Sequence, residues 1–447
     1  MYKNKYLKYK EKYLNLKNHC ISVHLRKGIN DNGDIINTMN SCDTDLCLQQ
    51  RNNFLFSSNF ELDQWSSWNF IFSNTPYFFK RDYDKDITDE LSQDSKYKFF
   101  DDNYIPFLNI LDKLKLIYQN EYSYNNNIYS EKYKGMKINI PENSQVHFIG
   151  DIHSSINSLH YLFNRFQNLG NIFSGNSLYL LKNQYIIFTG DLVDYGPYGL
   201  EILFFIFNLK VLNPNNVFII NGNHEEYSVY KKEQSNVNLS LEMNNQIPLR
   251  KKLVTEILLF LPVVIFLIFN GKSYQINHGA IIREEAGYNE ETFDFDKTSK
   301  LKDFLNSSNN IILFNDGNDF LWGDFKYNND DLGWTSTNYG RNMYHIDIVK
   351  KYLDKHNIEC IISGHQDTVS IGIMPNNIDI DNIYISSSEY LEYQETDGLI
   401  TYDKYNNDLE DDEYNFEIKV NNILALTISS AVTVQKGAIY YCYITLK

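Results

Sequence analysis

Three short stretches put acidic, imidazole and amide side chains directly after apolar runs. Val146–His153 reads V-H-F-I-G-D-I-H, Tyr185–Asp194 reads Y-I-I-F-T-G-D-L-V-D, and Val217–Glu225 reads V-F-I-I-N-G-N-H-E. Further on, Tyr274–Asn277 runs into His278-Gly279-Ala280, and Glu359–Ser363 runs into Gly364-His365-Gln366. Each apolar run has the length of a buried strand, and glycine lets the backbone turn at or beside its end. The polar residues delivered in this way are Asp151, His153, Asp191, Asp194, Asn223, His224, His278 and His365. Carboxylate, amide and imidazole together are donors that suit Mn, Fe and Zn. A single histidine at a strand end is ordinarily a packing or surface residue, and His160, His345 and His356 are placed in that class. Five such strand ends in order are not explained that way.

Two cations roughly 3.5–4 Å apart form a clamp used for phosphoryl-ester hydrolysis. Such a pair needs a shared carboxylate, most simply Asp191. Asp151 and His153 then complete one site, and Asn223, His278 and His365 complete the other. A water held between two cations loses a proton near neutral pH and attacks phosphorus in line. The leaving alkoxide then needs a proton. His224, beside Asn223, is the natural acid, and Asp194 is the carboxylate expected to keep it protonated.

The elements that must position these residues follow from periodicity. From about residue 140 strand-like runs alternate with helical segments, which implies an α/β core with its site beyond the carboxyl ends of the strands. Ser155–Leu169 is expected as a helix with Ile156, Leu159, Leu162, Phe163 and Phe166 on one face. Leu200–Val211 and Ile346–Asn357 are expected as further helices. Ile423–Ser430 and Gly437–Leu446 read as two closing strands forming a hairpin. Residues 1–139 form an N-terminal extension and 140–447 the catalytic domain. In the extension, 2–17 is a basic helix-periodic segment, and 18–100 is polar and weakly periodic. Residues 104–120 are expected as an amphipathic helix and 119–133 as a linker. The aromatic patch Trp65, Trp68, Phe70, Phe72, Tyr77, Phe78 and Phe79 is expected to pack against the catalytic domain rather than to line a ligand groove.

Composition narrows the function classes. The chain of 447 residues carries a net charge of −16, which argues against general nucleic-acid binding. The five cysteines have irregular spacing and no C-x-x-C pair, so a reducing compartment without a disulfide framework is expected. The N-terminus lacks the apolar region of a signal peptide. The most apolar run, Ile257–Phe269, is interrupted by Pro262 and falls short of the ~20 residues a membrane span needs. A core segment is expected there, and no membrane span. For 2–17 the sharper reading is a membrane-surface helix or one that binds a protein partner, and the blander a solvated or loosely docked terminal helix.

The motifs G-D-I-H (150–153), G-D-L-V-D (190–194), G-N-H-E (222–225), H-G (278–279) and G-H-Q (364–366) resemble the calcineurin-like metallophosphoesterases. F-L-P-V-V (260–264), F-L-W-G-D (320–324), K-Y-L-D-K-H-N-I-E-C-I-I-S-G-H-Q (351–366) and L-T-I-S-S-A (426–431) resemble elements of the PPP-type serine/threonine protein phosphatases. The resemblance covers roughly 140–447. It implies an α/β fold, a four-layer αββα sandwich of two mixed β-sheets flanked by helices, to which the N-terminal extension is added. It implies two divalent metal ions (Mn, Fe or Zn) and hydrolysis of phosphomonoesters without a phosphoenzyme. The substrate it implies is a phosphoprotein, with a small phosphoester as the alternative. The Lys/Tyr-rich N-terminus resembles those common in giant DNA viruses, so a cytoplasmic location, host cytoplasm or virion, is expected.

The departures fall on substrate contacts. The family's second motif continues Asp-Arg-Gly, and its arginine binds phosphate; here Asp194-Tyr195-Gly196 stands in its place. A phenol donates one hydrogen bond and supplies no charged bidentate fork. Ser154 stands where glycine is usual, and Val432-Thr433-Val434 replaces a tyrosine-bearing loop. Arg341 and Arg283 are the nearest substitutes for a phosphate-binding arginine. A nucleotide substrate, such as a dinucleoside polyphosphate, and a metal-binding pseudophosphatase are the two alternatives these departures leave open.

Overall fold

The computed structural model describes residues 20–27, 44–75, 99–122, 133–226, 238–282, 299–314, 317–326, 334–336, 341–365, 371–375, 392–396, 399–403, 413–419, 423–428 and 439–446. Two mixed sheets form the frame. The first runs Glu413–Lys419, Cys20–Lys27, Ile439–Leu446, Gln145–Ile149, Gln184–Phe188, Val217–Ile219 from edge to edge. The second runs Glu392–Thr396, Leu399–Asp403, Ile371–Pro375, Ile423–Ile428, Ile358–Ser363, Lys272–Asn277, Val264–Phe269, Tyr133–Ile140, Ile311–Phe314. Helices flank both, as in the metallophosphoesterase architecture that the motifs imply.

Parallel pairing decides where the motifs end up. Strands Gln145–Ile149, Gln184–Phe188 and Val217–Ile219 are parallel, with Ile149 opposite Phe188 and Phe188 opposite Ile219. Their carboxyl ends therefore open on one edge of the sheet. In the second sheet Lys272–Asn277 and Ile358–Ser363 are also parallel, with Ile276 opposite Ile362. His278 and His365 therefore leave the same end, and the Gly364 amide donates to the His278 carbonyl (2.9 Å). The ends of these strands are buried, as befits near-continuous apolar runs in the middle of sheets.

Helix Ile156–Leu169 starts where the Ser155 hydroxyl accepts from the Ser158 amide (3.3 Å) and ends at Gly170, whose φ is +66°. This is an ordinary polar start and left-handed stop. Helix Gly199–Leu212, G-L-E-I-L-F-F-I-F-N-L-K-V-L, is different, because its apolar residues lie all round it. Such a helix must be covered on every side. The N-terminal third supplies that cover. Trp68, fully buried, sits 4.9 Å from the ring of Phe204 and 5.0 Å from that of Phe205. Phe99, Phe100, Tyr104 and Phe107 surround Phe204 at 6.2, 5.7, 5.8 and 5.5 Å. Helix Ile105–Glu121 adds an ion pair, the Lys210 ammonium to Glu121 Oε1 at 2.5 Å. Trp65, Trp68 and Phe72 thus pack as expected, whereas Phe70 is exposed and rests on Phe54; Tyr77, Phe78, Phe79 and the basic segment 2–17 lie outside the described residues.

Three expectations need correction. The two closing strands do not form a hairpin. Ile423–Ile428 enters the second sheet between Ile371–Pro375 and Ile358–Ser363, while Ile439–Leu446 enters the first between Cys20–Lys27 and Gln145–Ile149. Two adjacent apolar strands each need two neighbours, and different sheets supply them. Second, the segment 18–100 contains strand Cys20–Lys27 and helices Thr44–Leu55 and Trp65–Ser73. The alternation I-S-V-H-L at 21–25 is the signal for the strand. Third, Cys47 is disulfide-bonded, whereas Cys360 is a free buried thiol. Cysteine spacing in sequence does not reveal which thiols the fold brings within ~6 Å. Ile257–Phe269 is core, divided between the end of helix Lys251–Leu258 and strand Val264–Phe269. Among the described residues no helix is long and apolar enough to cross a membrane.

Candidate active site

The five strand ends converge. Asp151, His153, Asp191, Asp194, Asn223, His224, His278 and His365 are all buried and together. Two glycines allow the approach. A Cβ on Gly222 would overlap the Asp191 amide and Oδ1, and one on Gly364 would overlap Asp151 Oδ1.

The side chains present lone pairs to common points. His278 Nδ1 lies 3.1 Å from the Thr189 carbonyl, which can only accept, so Nδ1 carries the proton and Nε2 is bare. That bare Nε2 faces Asp191 Oδ2 at 3.1 Å, Asn223 Oδ1 at 2.8 Å and His365 Nδ1 at 3.1 Å. Asn223 Oδ1 is also 2.9 Å from His365 Nδ1. On the other side His153 Nδ1 donates to the Val193 carbonyl (3.1 Å), which leaves Nε2 facing Asp191 Oδ2 at 3.5 Å. Acceptors crowded in a buried space repel one another. Around a cation with ligand bonds of ~2.0–2.2 Å, neighbouring ligand atoms stand about 3–3.5 Å apart, which is the spacing seen. The donor set therefore fits divalent metal. His153, Asp191 and His224 form one group with ligand atoms within 4.8 Å of one another, and Asp191, His278 and His365 form a second. Asp191 belongs to both. Asp151 accepts from the His365 amide (3.0 and 3.2 Å) and holds Oδ1 3.6 Å from His278 Nδ1.

His224 and Asp194 make the second feature. His224 Nδ1 is 2.9 Å from Asp194 Oδ2, and Asp194 Oδ1 accepts from the Leu239 amide (2.9 Å). Burial alone would lower the His224 pKa, but the charge of Asp191 and the hydrogen bond to Asp194 outweigh it and raise it to about 9.

Two residues had no role assigned from sequence. Glu225, the last letter of G-N-H-E, is buried and accepts four backbone N–H bonds: from Asp191 (2.8 Å), Leu192 (2.7 Å), Val193 (3.2 Å) and Gly222 (2.9 Å). It clamps the second motif to the third. Burial and then the charge of Asp191 push Glu225 up to about 7, while His278 and the Leu192 amide pull the other way. Asp324, the last letter of F-L-W-G-D, lies 3.6 Å from His365 Nε2, a charge contact that favours a proton on that nitrogen and a bare Nδ1. In both cases the signal was the letter closing an already recognised motif.

The tentative substrate contacts are divided. The ring of Tyr195 stands edge-on to that of His153 (4.7 Å, 84°) and tilts against that of His224 (4.9 Å, 51°). Arg341 lies over the ring of Trp322 at 5.4 Å, and Trp322 stands 6.2 Å from the ring of His365. Arg283 lies outside the described residues.

Comparison with known proteins identifies the family. The family model for calcineurin-like phosphoesterases matches residues 144–368. Serine/threonine-protein phosphatase 5 of Arabidopsis thaliana is 28% identical over 142 residues, covering 32% of this chain and 23% of the relative. Human serine/threonine-protein phosphatase 5 is 25% identical over 228 residues, covering 51% of this chain and 40% of the relative. The chain thus spans well under half the length of these relatives. Among solved structures, a protein serine/threonine phosphatase from Saccharomyces cerevisiae with similarity to human phosphatase PP5 covers 60% of this chain and 73% of its own, at 19% identity and a TM-score of 0.42.

Proposed function

We propose, for a chain that belongs to the calcineurin-like phosphoesterase family, that it is a metal-dependent hydrolase of phosphomonoesters using two divalent ions, Mn, Fe or Zn, and that its substrates are phosphoserine or phosphothreonine in proteins. The observation that carries the mechanism is Asp191, one carboxylate common to the groups His153–Asp191–His224 and Asp191–His278–His365, with His224 turned by its hydrogen bond to Asp194 toward the role of acid. Asp151, His153 and Asp191 would hold one ion; Asp191, Asn223, His278 and His365 would hold the other. Bound there, the ions would supply Lewis acidity toward phosphoryl oxygens and acidify water.

The chain's own residues do the rest. Glu225 and the left-handed backbone at Asp191 (φ 49°) hold the shared carboxylate in place. Thr189 and Val193 carbonyls fix the tautomers of His278 and His153. His224, kept protonated by Asp191 and Asp194, gives its proton to the departing alkoxide. Because Nδ1 is engaged by Asp194, the proton transferred is the one on Nε2.

The serine/threonine preference is favoured by relatives named serine/threonine-protein phosphatase 5. Tyr195 favours a second reading, a nucleotide or other small phosphoester, because an aromatic ring rather than a cation stands beside His153 and His224. A panel with added Mn²⁺ decides between them: phosphoserine peptide, aryl phosphate, diadenosine tetraphosphate and cyclic nucleotide. Turnover of the phosphopeptide supports the first reading, and turnover of nucleotides alone ends it. Bound metal with a rate equal to that of His224→Ala would make the chain a binding protein instead.

A further inference from the structure

Helix Asn238–Gln246 touches the catalytic pair at one end and the N-terminal layer at the other. Its Leu239 amide donates to Asp194 Oδ1 (2.9 Å), whose other oxygen faces His224. Glu242, one turn on and fully buried, accepts from the amides of Gly199 (3.1 Å) and Leu200 (2.8 Å), at the open first turn of helix Gly199–Leu212. Glu201 sits in that same turn, also fully buried, and its charge partner is the guanidinium of Arg51 at 3.8 Å. Arg51 is fully buried too, comes from helix Thr44–Leu55 and lies 5.0 Å over the ring of Phe99. The last residue of the 238–246 helix, Gln246, accepts from the amides of Phe99 (2.9 Å) and Phe100 (3.4 Å).

We propose that helix Asn238–Gln246 is a relay through which Arg51, in the N-terminal layer, positions the His224–Asp194 pair. Glu201 and Glu242 are both fully buried at the first turn of helix Gly199–Leu212, where a charge on either raises the cost of a charge on the other, and the Arg51 cation between the layers offsets this. Burial pushes Glu201 up to about 7, and burial with the Glu201 charge pushes Glu242 well above the carboxylate range. Removing Arg51 leaves Glu201 without its cation against Glu242. Glu242 then loosens its hold on the first turn of helix Gly199–Leu212, helix Asn238–Gln246 shifts, and the Leu239 amide withdraws from Asp194. His224 keeps its identity and loses its orientation. Arg51 is thus a positioning residue, and the proposal rests on His224 being the proton donor.

Leaving-group dependence tests it, since only a poor leaving group needs the proton. The full chain with Mn²⁺ is assayed on a phosphoserine peptide, which expels an alkoxide, and on 2,4-dinitrophenyl phosphate, which expels a stable phenolate. Arg51→Met is expected to lower kcat on the peptide by on the order of tenfold while changing the aryl ester less than about twofold. Arg51→Lys is expected to retain most of the activity, and Arg51→Met with Glu201→Gln to restore it. In the metal-free protein the downfield proton resonance of His224 Nδ1–H is expected to broaden or shift in Arg51→Met and to return in the double variant. His224→Ala is the control. If it loses both substrates equally, the proton-donor reading fails; if it is selective and folded Arg51→Met is not, the relay fails. Should Arg51→Met not fold, Glu242→Ala, which removes the acceptor for the Gly199 and Leu200 amides, carries the same selective expectation, and an unselective result there overturns the relay.

Discussion

The strand-end loops and the N-terminal layer are equally buried and held by different forces. In the loops the grip is polar: four amides on Glu225, carbonyls on His153 and His278, an amide on Asp194. The backbone there is bent into the left-handed region at His153, Ser154, Asp191, Asp194, Tyr195 and His365. Elsewhere among the described residues, a positive φ outside glycine falls on Asn143, Asn183, Asn270 and Asn357, the residue type that tolerates it best. In the layer the grip is apolar, aromatic rings against Phe204 and Phe205. The first region spends stability to fix donor atoms, and the second restores it. Damage to one should appear in the rate, and damage to the other in stability.

The largest effect expected is at the shared carboxylate. Asp191→Asn should reduce kcat by at least about a thousandfold and lower bound metal below two ions per chain, read by elemental analysis. An unchanged metal content would break the assignment of Asp191 to both groups. His224→Ala should cost about 10²–10⁴ in kcat and leave metal content and thermal midpoint unaltered.

In the layer, Trp68→Ala should destabilise the protein by about 3–5 kcal/mol, read by denaturant titration, with kcat per folded molecule within about threefold of wild type. A fall in kcat with no fall in stability would break the comparison. Deleting residues 1–100 should expose Phe204 and Phe205 and give an insoluble chain, rather than an active one with altered location.

A subtler effect concerns pH. Glu201 has a folded pKa of about 7, above its value in an unfolded chain. Its contribution to stability is therefore fully present below about pH 4.3 and is lost as pH rises through about 7. Glu201→Gln should flatten the decline of the thermal midpoint across that window relative to wild type; an identical slope would assign the decline to other groups. Smallest of all, Ser154→Gly removes a side chain from a residue at φ 56° whose buried hydroxyl makes no hydrogen bond among the described residues. It should stabilise by about 1 kcal/mol, with activity retained.

The same division governs what the sequence disclosed. Metal-type ligands announce themselves because glycine and a short list of donors must follow an apolar run, as at Gly150-Asp151 and Gly222-Asn223. The helices Ile156–Leu169 and Ile346–His356 followed from their apolar period, and the two-sheet arrangement followed from the family resemblance. The layer was harder to read, because Trp65, Trp68 and Phe72 pack on residues over 80 positions away and no local pattern names the partner. Arg51 carries no local signal, because its partner Glu201 lies far along the chain. The positions of Tyr195 and Arg341 depend on loop geometry that spacing alone does not set.

Strand Cys20–Lys27 pairs with Glu413–Lys419 on one side and Ile439–Leu446 on the other. Both neighbours are made about 400 residues later. At a synthesis rate of ~5–20 residues per second, this strand waits roughly 20–80 s before either neighbour has left the ribosome. Throughout that interval it is an unpaired strand, open to pairing with other chains. Translation speed and chaperone supply should therefore influence the yield of soluble protein more strongly than the sequence of the catalytic loops does.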